Sequence, residues 1–149
     1  MKIKTALQIN KKSEEIFSAI IEPEKMKNYF ISEASGKMEE NKIITWKFAE
    51  FKDRFNIKVK EVIENKKIVY EWPSFKGKWL EVEIKLEAYK ENATVVHISE
   101  GEVNFNEESA EWIQQNTQGW ANFLACLKAW LEYGIKLREG SWDFMSDIK

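Results

Sequence analysis

The sequence is poor in cysteine and histidine, with one residue of each, Cys126 and His97. A single cysteine excludes an intrachain disulfide and a metal site built on a cysteine cluster. A zinc centre with three protein ligands would depend on carboxylates at spacings that the sequence does not support. We therefore expect no metal and no cofactor, and the lack of disulfides favours a reducing cytoplasm.

Long apolar runs and an excess of one charge are also missing. No stretch approaches the ~18–20 apolar residues of a membrane-spanning helix, and the opening MKIKTALQIN lacks the apolar run of a signal peptide. We expect a cytoplasmic protein that does not act on membranes. The net charge is −2, with acids and bases interspersed, which gives no electrostatic basis for binding nucleic acid.

Proline and glycine are scarce, at two and six residues. No linker, repeat or low-complexity segment interrupts the 149 residues, which predicts one domain over residues 1–149. Aromatic residues make up 13% of the chain and include seven tryptophans. Such a composition fits either a solid aromatic core or a large apolar cavity, and both interpretations stay open.

The first thirty residues predict a strand and two short helices. Residues 3–9 alternate apolar and polar side chains, as a strand with one buried face does. SEEIFSAI follows, and Ser13 is a suitable cap for a helix whose apolar residues face inward. Pro23 fits the first turn of a second helix, PEKMKNYF.

Between residues 31 and 102 the hydrophobic period is two. The clearest alternating runs are residues 44–48, 55–59 and 80–86, and short turns separate them. Successive strands with short connections predict six strands in an antiparallel meander with one solvated face.

The period returns to 3.6 in NTQGWANFLACLKAWLEYG, which predicts a helix from Asn116 to Gly134. At about twenty residues it is the one predicted helix long enough to cover the sheet, so the fold class is α+β. Gly119 stands beside Trp120 on this helix. It either leaves space next to the aromatic face or lets the backbone approach a strand, and the second interpretation is favoured.

No residue stands out as catalytic. His97 alternates with Val96 and is expected to face solvent, and Cys126 is expected to be a buried thiol. Glu100 and Glu102 flank Gly101 near a strand end, where a bulge could turn one carboxylate inward. Solvated carboxylates are the favoured interpretation.

Three segments carry a family resemblance: TALQINKKSEEIFSAIIEPEKMKNYF; VKEVIENKKIVYEW with NATVVHISEG; and WIQQNTQGWANFLACLKAWLEYG. Together they resemble the START-like (SRPBCC) superfamily, in its bacterial branch related to the activator of heat-shock protein 90 ATPase. The Gly119-Trp120 pair matches the start of the family's closing helix. Two positions depart from the pattern: Tyr29-Phe30 replaces a Trp-Phe pair, and residues 10–12 lack the usual proline.

The resemblance implies a helix-grip fold, in which a curved antiparallel sheet wraps around a long C-terminal helix and two short helices follow the first strand. Members bind apolar small molecules between the sheet and the long helix, some relatives catalyse cyclisation or hydration there, and a eukaryotic co-chaperone contacts its chaperone. We expect a non-enzymatic binding domain for an apolar or amphipathic molecule. A chaperone-modulating module and a cyclase-like or hydratase-like enzyme are the alternatives. The candidate lining residues are Trp46, Phe48, Tyr70, Trp72, Trp79, Trp120, Phe123 and Leu127.

Two further expectations concern hydrogen-bond donors and the C-terminal segment. The Tyr70 hydroxyl and the tryptophan N–H groups are expected to orient the polar end of a ligand. In REGSWDFMSDIK, the residues Trp142, Phe144 and Met145 are expected to pack back over the domain, with an exposed partner-binding patch as the alternative.

Overall fold

The computed structural model describes residues 1–146. Within them, one seven-stranded sheet is accompanied by four helices and a short 3-10 turn at Phe75–Gly77. The strands are β1 (Ile3–Ile9), β2 (Glu33–Ala34), β3 (Ile43–Lys47), β4 (Phe55–Ile63), β5 (Lys67–Pro73), β6 (Trp79–Tyr89) and β7 (Ala93–Gly101). The helices are α1 (Ser13–Ile21), α2 (Pro23–Met26), α3 (Glu107–Tyr133) and α4 (Asp143–Ser146).

All described strand pairs are antiparallel, in the order β1-β7-β6-β5-β4-β3-β2. Strands β2 to β7 form the predicted six-stranded meander, and β1 pairs with β7 from Ile3 opposite Glu100 to Ile9 opposite Thr94. The β4–β5 register shifts between Val59 and Glu61, which is an irregularity of the kind that bends a strand. The predicted α+β helix-grip fold is confirmed.

Helix α3 begins nine residues earlier than the sequence pattern predicted. Asn106 caps it by accepting a hydrogen bond from the Ser109 backbone N–H at 3.0 Å, and the Ser109 hydroxyl accepts one from the Asn106 N–H at 3.0 Å. Most of the first three turns are solvated or half-buried, so the apolar period is weak there. Gly134 ends the helix in the left-handed conformation, with φ 67°.

The cap predicted for α1 was wrong in detail. Lys12 occupies the cap position without a side-chain cap bond, and Ser13 is the first helical residue. The Ser13 hydroxyl instead lies 3.1 Å from the Thr94 hydroxyl on β7. The inward-facing apolar residues of α1 are buried as predicted, and Pro23 is the first residue of α2.

The core lies between α3 and the inner face of the sheet, and aromatic rings fill much of it. Phe30 contacts three of them edge-on, with centroid distances of 5.7 Å to Trp46, 5.0 Å to Phe48 and 4.7 Å to Phe123. Edge-to-face contacts at these distances are favourable because the positive edge of one ring meets the negative face of the next. The aromatic side of α3 therefore faces an aromatic sheet, as the sequence predicted.

Candidate functional site: an aromatic groove and a buried carboxylate

A groove of about 470 Å³ runs along α3 and is open to solvent on one side. Eight aromatic side chains and Met145 line it, and they come from the segment after α2, the loop after β3, strand β5, helix α3 and the C-terminal segment. Amide side chains of α3, such as Gln115 and Asn122, lie along the same groove. This lining is mostly apolar with a few polar groups, which is typical of a small-molecule site.

The eight residues predicted to line a cavity divide into three groups. Phe48, Trp72, Trp120 and Phe123 line the groove, although Trp120 and Phe123 belong equally to the packed core and are 3% and 1% exposed. Three more of the predicted residues do not line the groove and are buried in the core: Trp46, Tyr70 and Leu127.

Trp79 does not lie with the other predicted residues, and its assignment to the lining is corrected here. It is 36% exposed on the opposite face of the sheet, and the Lys58 ammonium lies 4.3 Å from its ring centroid. Leu80 and Val82 point into the core, so Trp79 and Glu81 lie together on the solvent-facing side of β6. The alternation of β6 was visible in the sequence and already placed Trp79 outward.

Gly119 lies on the groove, where a Cβ atom would meet no heavy atom within 4 Å. No strand backbone approaches it, so the favoured expectation of a close backbone contact was wrong. The alternative, that Gly119 leaves space beside the aromatic face, agrees with the structure.

The C-terminal segment packs back along the groove, as expected, through Trp142, Phe144 and Met145. The Trp142 indole N–H donates to Asn122 Oδ1 at 3.3 Å, and Phe144 remains 55% exposed. The last three residues of REGSWDFMSDIK lie outside the described residues.

An ion pair joins this segment to the loop after β3. Both terminal nitrogens of Arg138 donate to the Glu50 carboxylate at 3.0 Å, and the guanidinium lies 5.1 Å from the Phe48 ring centroid. A second cavity, of about 480 Å³ and more polar, lies on the other side of this pair. The sequence pattern gave no signal for the pair, because its residues are 88 positions apart.

Glu100 is fully buried, which corrects the expectation of a solvated carboxylate. Oε2 accepts hydrogen bonds from the Trp72 indole at 2.6 Å and the Ser74 hydroxyl at 2.7 Å. Oε1 accepts from the Asn116 amide and the Trp120 indole, both at 2.9 Å. Along β7, Glu100 follows Ile98 by two residues and so lies on the same, inward face of the strand. This alternation in the sequence would have predicted its burial.

Gly101, directly after Glu100, has φ 147°, a backbone conformation that side chains disfavour. A Cβ atom there would lie 3.1 Å from both Met1 O and Lys2 Cα. Glycine at position 101 therefore lets the end of β7 pass close to the N-terminus. The next residue, Glu102, is exposed to solvent.

Two fully buried tyrosines of the core differ in their hydrogen bonding. The Tyr29 hydroxyl donates to the Ala19 carbonyl at 2.8 Å, whereas the Tyr70 hydroxyl has no hydrogen-bond partner among residues 1–146. Burial raises the pKa of both phenols well above the usual 10.0, and the negative charge of Glu100 raises the Tyr70 pKa further. Both phenols therefore stay protonated at neutral pH.

Two Tyr→Phe substitutions test this difference. Tyr29→Phe removes a buried hydrogen bond, so we expect the free energy of unfolding to fall by about 1 kcal/mol. Tyr70→Phe removes an unpartnered hydroxyl, so we expect no loss, or a gain of up to about 1 kcal/mol. Urea denaturation at neutral pH gives both values, and a larger loss for Tyr70→Phe than for Tyr29→Phe would refute the assignment.

A family model described as Activator of Hsp90 ATPase homolog 1-like protein matches residues 10–132. The chain belongs to the Activator of Hsp90 ATPase homolog 1-like family. The matched range runs from the end of β1 almost to the end of α3, so it includes Glu100, Gly119 and Trp120. The resemblance drawn from the sequence is confirmed.

Solved structures agree with this membership. A Staphylococcus saprophyticus protein is 30% identical, with a TM-score of 0.79 over 91% of this chain and 94% of its own. The Aha1 dimer from Colwellia psychrerythraea is 24% identical, with a TM-score of 0.76 over 90% of this chain and 98% of its own. An HSP90 activator from Plasmodium falciparum is 16% identical, with a TM-score of 0.69 over 89% of this chain and 97% of its own. The last two likenesses support the fold alone, and no curated protein matches the chain in sequence.

Neither the histidine nor the cysteine of this family member lines the groove. His97 points outward, and its Nε2 lies 3.2 Å from Glu87 Oε1. Cys126 is buried in the core, where burial raises the pKa of its thiol. Within residues 1–146, no three or more His, Cys, Asp or Glu residues are grouped to hold a metal ion, and no helix is long and apolar enough to cross a membrane.

Proposed function

We propose that this Activator of Hsp90 ATPase homolog 1-like protein binds an apolar or amphipathic small molecule in the groove beside α3. The observation that carries the proposal is an aromatic-lined volume of about 470 Å³ that Gly119 leaves open. Small-molecule sites typically measure about 300–1,000 Å³ and are lined mainly by apolar and aromatic side chains. Four sequence-predicted residues, Phe48, Trp72, Trp120 and Phe123, contribute to the wall.

The polar groups of the groove favour a ligand whose polar end is uncharged or reaches solvent. Glu50 and Arg138, the two charged residues of the lining, bind each other. Gln115, Gln118 and Asn122 are the side chains that we assign to the ligand's polar end. The Trp72 and Trp120 indole N–H groups, expected earlier to serve there, already donate to Glu100.

The proposal is non-enzymatic, for a single domain over residues 1–149 acting in the cytoplasm without a cofactor. A cyclase or hydratase requires an acid or base that is free to exchange a proton with the substrate. The charged side chains on the groove are engaged with each other, and Glu100 does not line it. This engagement weighs against the enzymatic alternative.

Native mass spectrometry of the protein as purified tests the proposal. We expect a population carrying extra non-covalent mass that disappears under denaturing conditions and extracts into organic solvent. The opposite outcome is a clean mass both as purified and after incubation with an amphipathic aromatic dye and a medium-chain fatty acid. That outcome would contradict small-molecule binding.

A second candidate function is contact with a chaperone of the heat-shock protein 90 class. Family membership and the likeness to an HSP90 activator from Plasmodium falciparum favour it. The test is the ATPase rate of the host chaperone with and without this protein. A rate unchanged by micromolar protein would count against a chaperone role and would leave the small-molecule proposal intact.

A further inference from the structure

Three of the four groups that donate to Glu100 belong to side chains of the groove wall: Trp72, Asn116 and Trp120. They come from β5 and α3, whereas Glu100 lies at the end of β7. The fourth donor, Ser74, also accepts a hydrogen bond from the Trp112 indole at 3.2 Å. One carboxylate therefore connects a sheet wall and a helix wall of the groove.

The number and type of donors explain why the central residue is a carboxylate. An ionised carboxylate only accepts hydrogen bonds and offers about four lone-pair positions, whereas an amide offers one accepting oxygen and two N–H donors. Glutamine at position 100 would have nearly the same shape, but its NH₂ group would face two of the four donors. At least one indole or amide would then have to turn away.

Stability alone does not explain why a carboxylate is buried among these four donors. Within residues 1–146, Glu100 makes no ion pair with a lysine, arginine or histidine. Burying a charge is unfavourable, and apolar residues of similar volume often give equal or greater stability than buried ionic groups. A hydrogen bond does, however, fix the orientation of an indole ring, because the torsion that turns the ring is otherwise broad. The Trp72 and Trp120 rings lie 5.5 Å apart at 37°, and both indoles donate to this one carboxylate.

We infer that Glu100 is a positioning residue of the groove: it holds the Trp72 and Trp120 rings in the orientation that a ligand meets. The inference rests on the proposed function, because it assigns Glu100 a role in binding at that groove. Glu100 acts through the two indoles and does not itself contact the ligand. Preorganised walls raise affinity because the ligand does not have to order them on binding.

The test compares Glu100→Gln with Glu132→Gln as a matched control. Glu132 is a carboxylate with a 9% exposed side chain that accepts from the Asn10 backbone and Lys128, away from the groove. Two quantities are measured: the indole N–H resonances of ¹⁵N-labelled protein, and the Kd for 8-anilinonaphthalene-1-sulfonate by fluorescence. For Glu100→Gln we expect the Trp72 and Trp120 indole resonances to move, and the Kd to rise at least about tenfold, equivalent to ~1.4 kcal/mol. Glu132→Gln should change neither.

Unchanged indole resonances together with a Kd within about twofold of wild type would overturn the inference while leaving small-molecule binding intact. If wild-type protein does not bind the dye, the proposed function fails for that dye and the indole resonances alone decide the inference. Should Glu100→Gln not fold, hydrogen exchange of the wild-type indoles decides it. Slower exchange of the Trp120 indole than of the equally buried Trp46 indole, which does not donate to Glu100, supports the positioning role, and equal rates overturn it.

Discussion

Replacing Trp120 with alanine is expected to lower the free energy of unfolding by about 3–5 kcal/mol. Trp120 is 3% exposed, and its ring packs against Trp72 at 5.5 Å and Phe123 at 5.4 Å. The substitution removes this packing and one of the four donors to Glu100. A loss of this size is a large part of the roughly 5–15 kcal/mol that stabilises a domain. Guanidinium denaturation followed by circular dichroism measures it.

Trp79→Ala is the matched control for this prediction. It removes the same side chain from the solvated face of the sheet, where the principal described contact is the Lys58 ammonium over the ring. We expect a loss of at most about 1 kcal/mol, the size of an exposed cation–π contact. Equal losses for the two variants would show that Trp120 does not belong to the packed core.

Gly119→Phe is expected to weaken ligand binding while the protein remains folded. Gly119 is an exposed residue of the groove lining, and a Cβ there meets no atom within 4 Å, so a phenyl ring has room to extend over the groove. The ring would then occupy volume that the ligand requires, so the Kd for an amphipathic dye should rise at least about tenfold. Fluorescence titration gives the Kd, and circular dichroism verifies the fold.

Two variants control for effects of side-chain size on the helix. Gly119→Ala adds one methyl group and should stabilise α3 by about 0.5–1 kcal/mol, since glycine is a poor helix former, with binding retained. Ala121→Phe places the same ring on an exposed position of α3 outside the groove lining and should leave the Kd unchanged. Retained affinity in Gly119→Phe, or equal loss in Ala121→Phe, would refute the placement of the site.

Much of the fold was predictable because it depends on local periodicity. Alternation along β4, β6 and β7 reports which face of a strand is buried, and short turns between strands make an antiparallel meander the simplest arrangement. The start of α3 was missed because its first turns are weakly apolar, and there the cap formed by Asn106 and Ser109 is the better signal. Periodicity does not reveal that the sheet wraps around α3, and this feature was predicted from the family resemblance.

The candidate site was only half predictable, for a physical reason. Periodicity gives the face on which a residue lies, so it found Trp72 and Trp120, and it would have placed Trp79 and Glu100 correctly had the same rule been applied to them. Periodicity does not separate a groove wall from the core beneath it. The closing contact between Glu50 and Arg138 depends on how distant segments meet in three dimensions, which residue spacing does not reveal.

The most direct test of small-molecule binding in the groove is an NMR titration of ¹⁵N-labelled wild-type protein with 8-anilinonaphthalene-1-sulfonate. The account predicts that resonance shifts concentrate on the groove, led by the Gly119 amide and the Trp120 and Trp142 indoles, whereas the Trp79 indole on the opposite face does not move. Saturating shifts centred on Trp79 and the outer face of the sheet, with Gly119 unchanged, would contradict it.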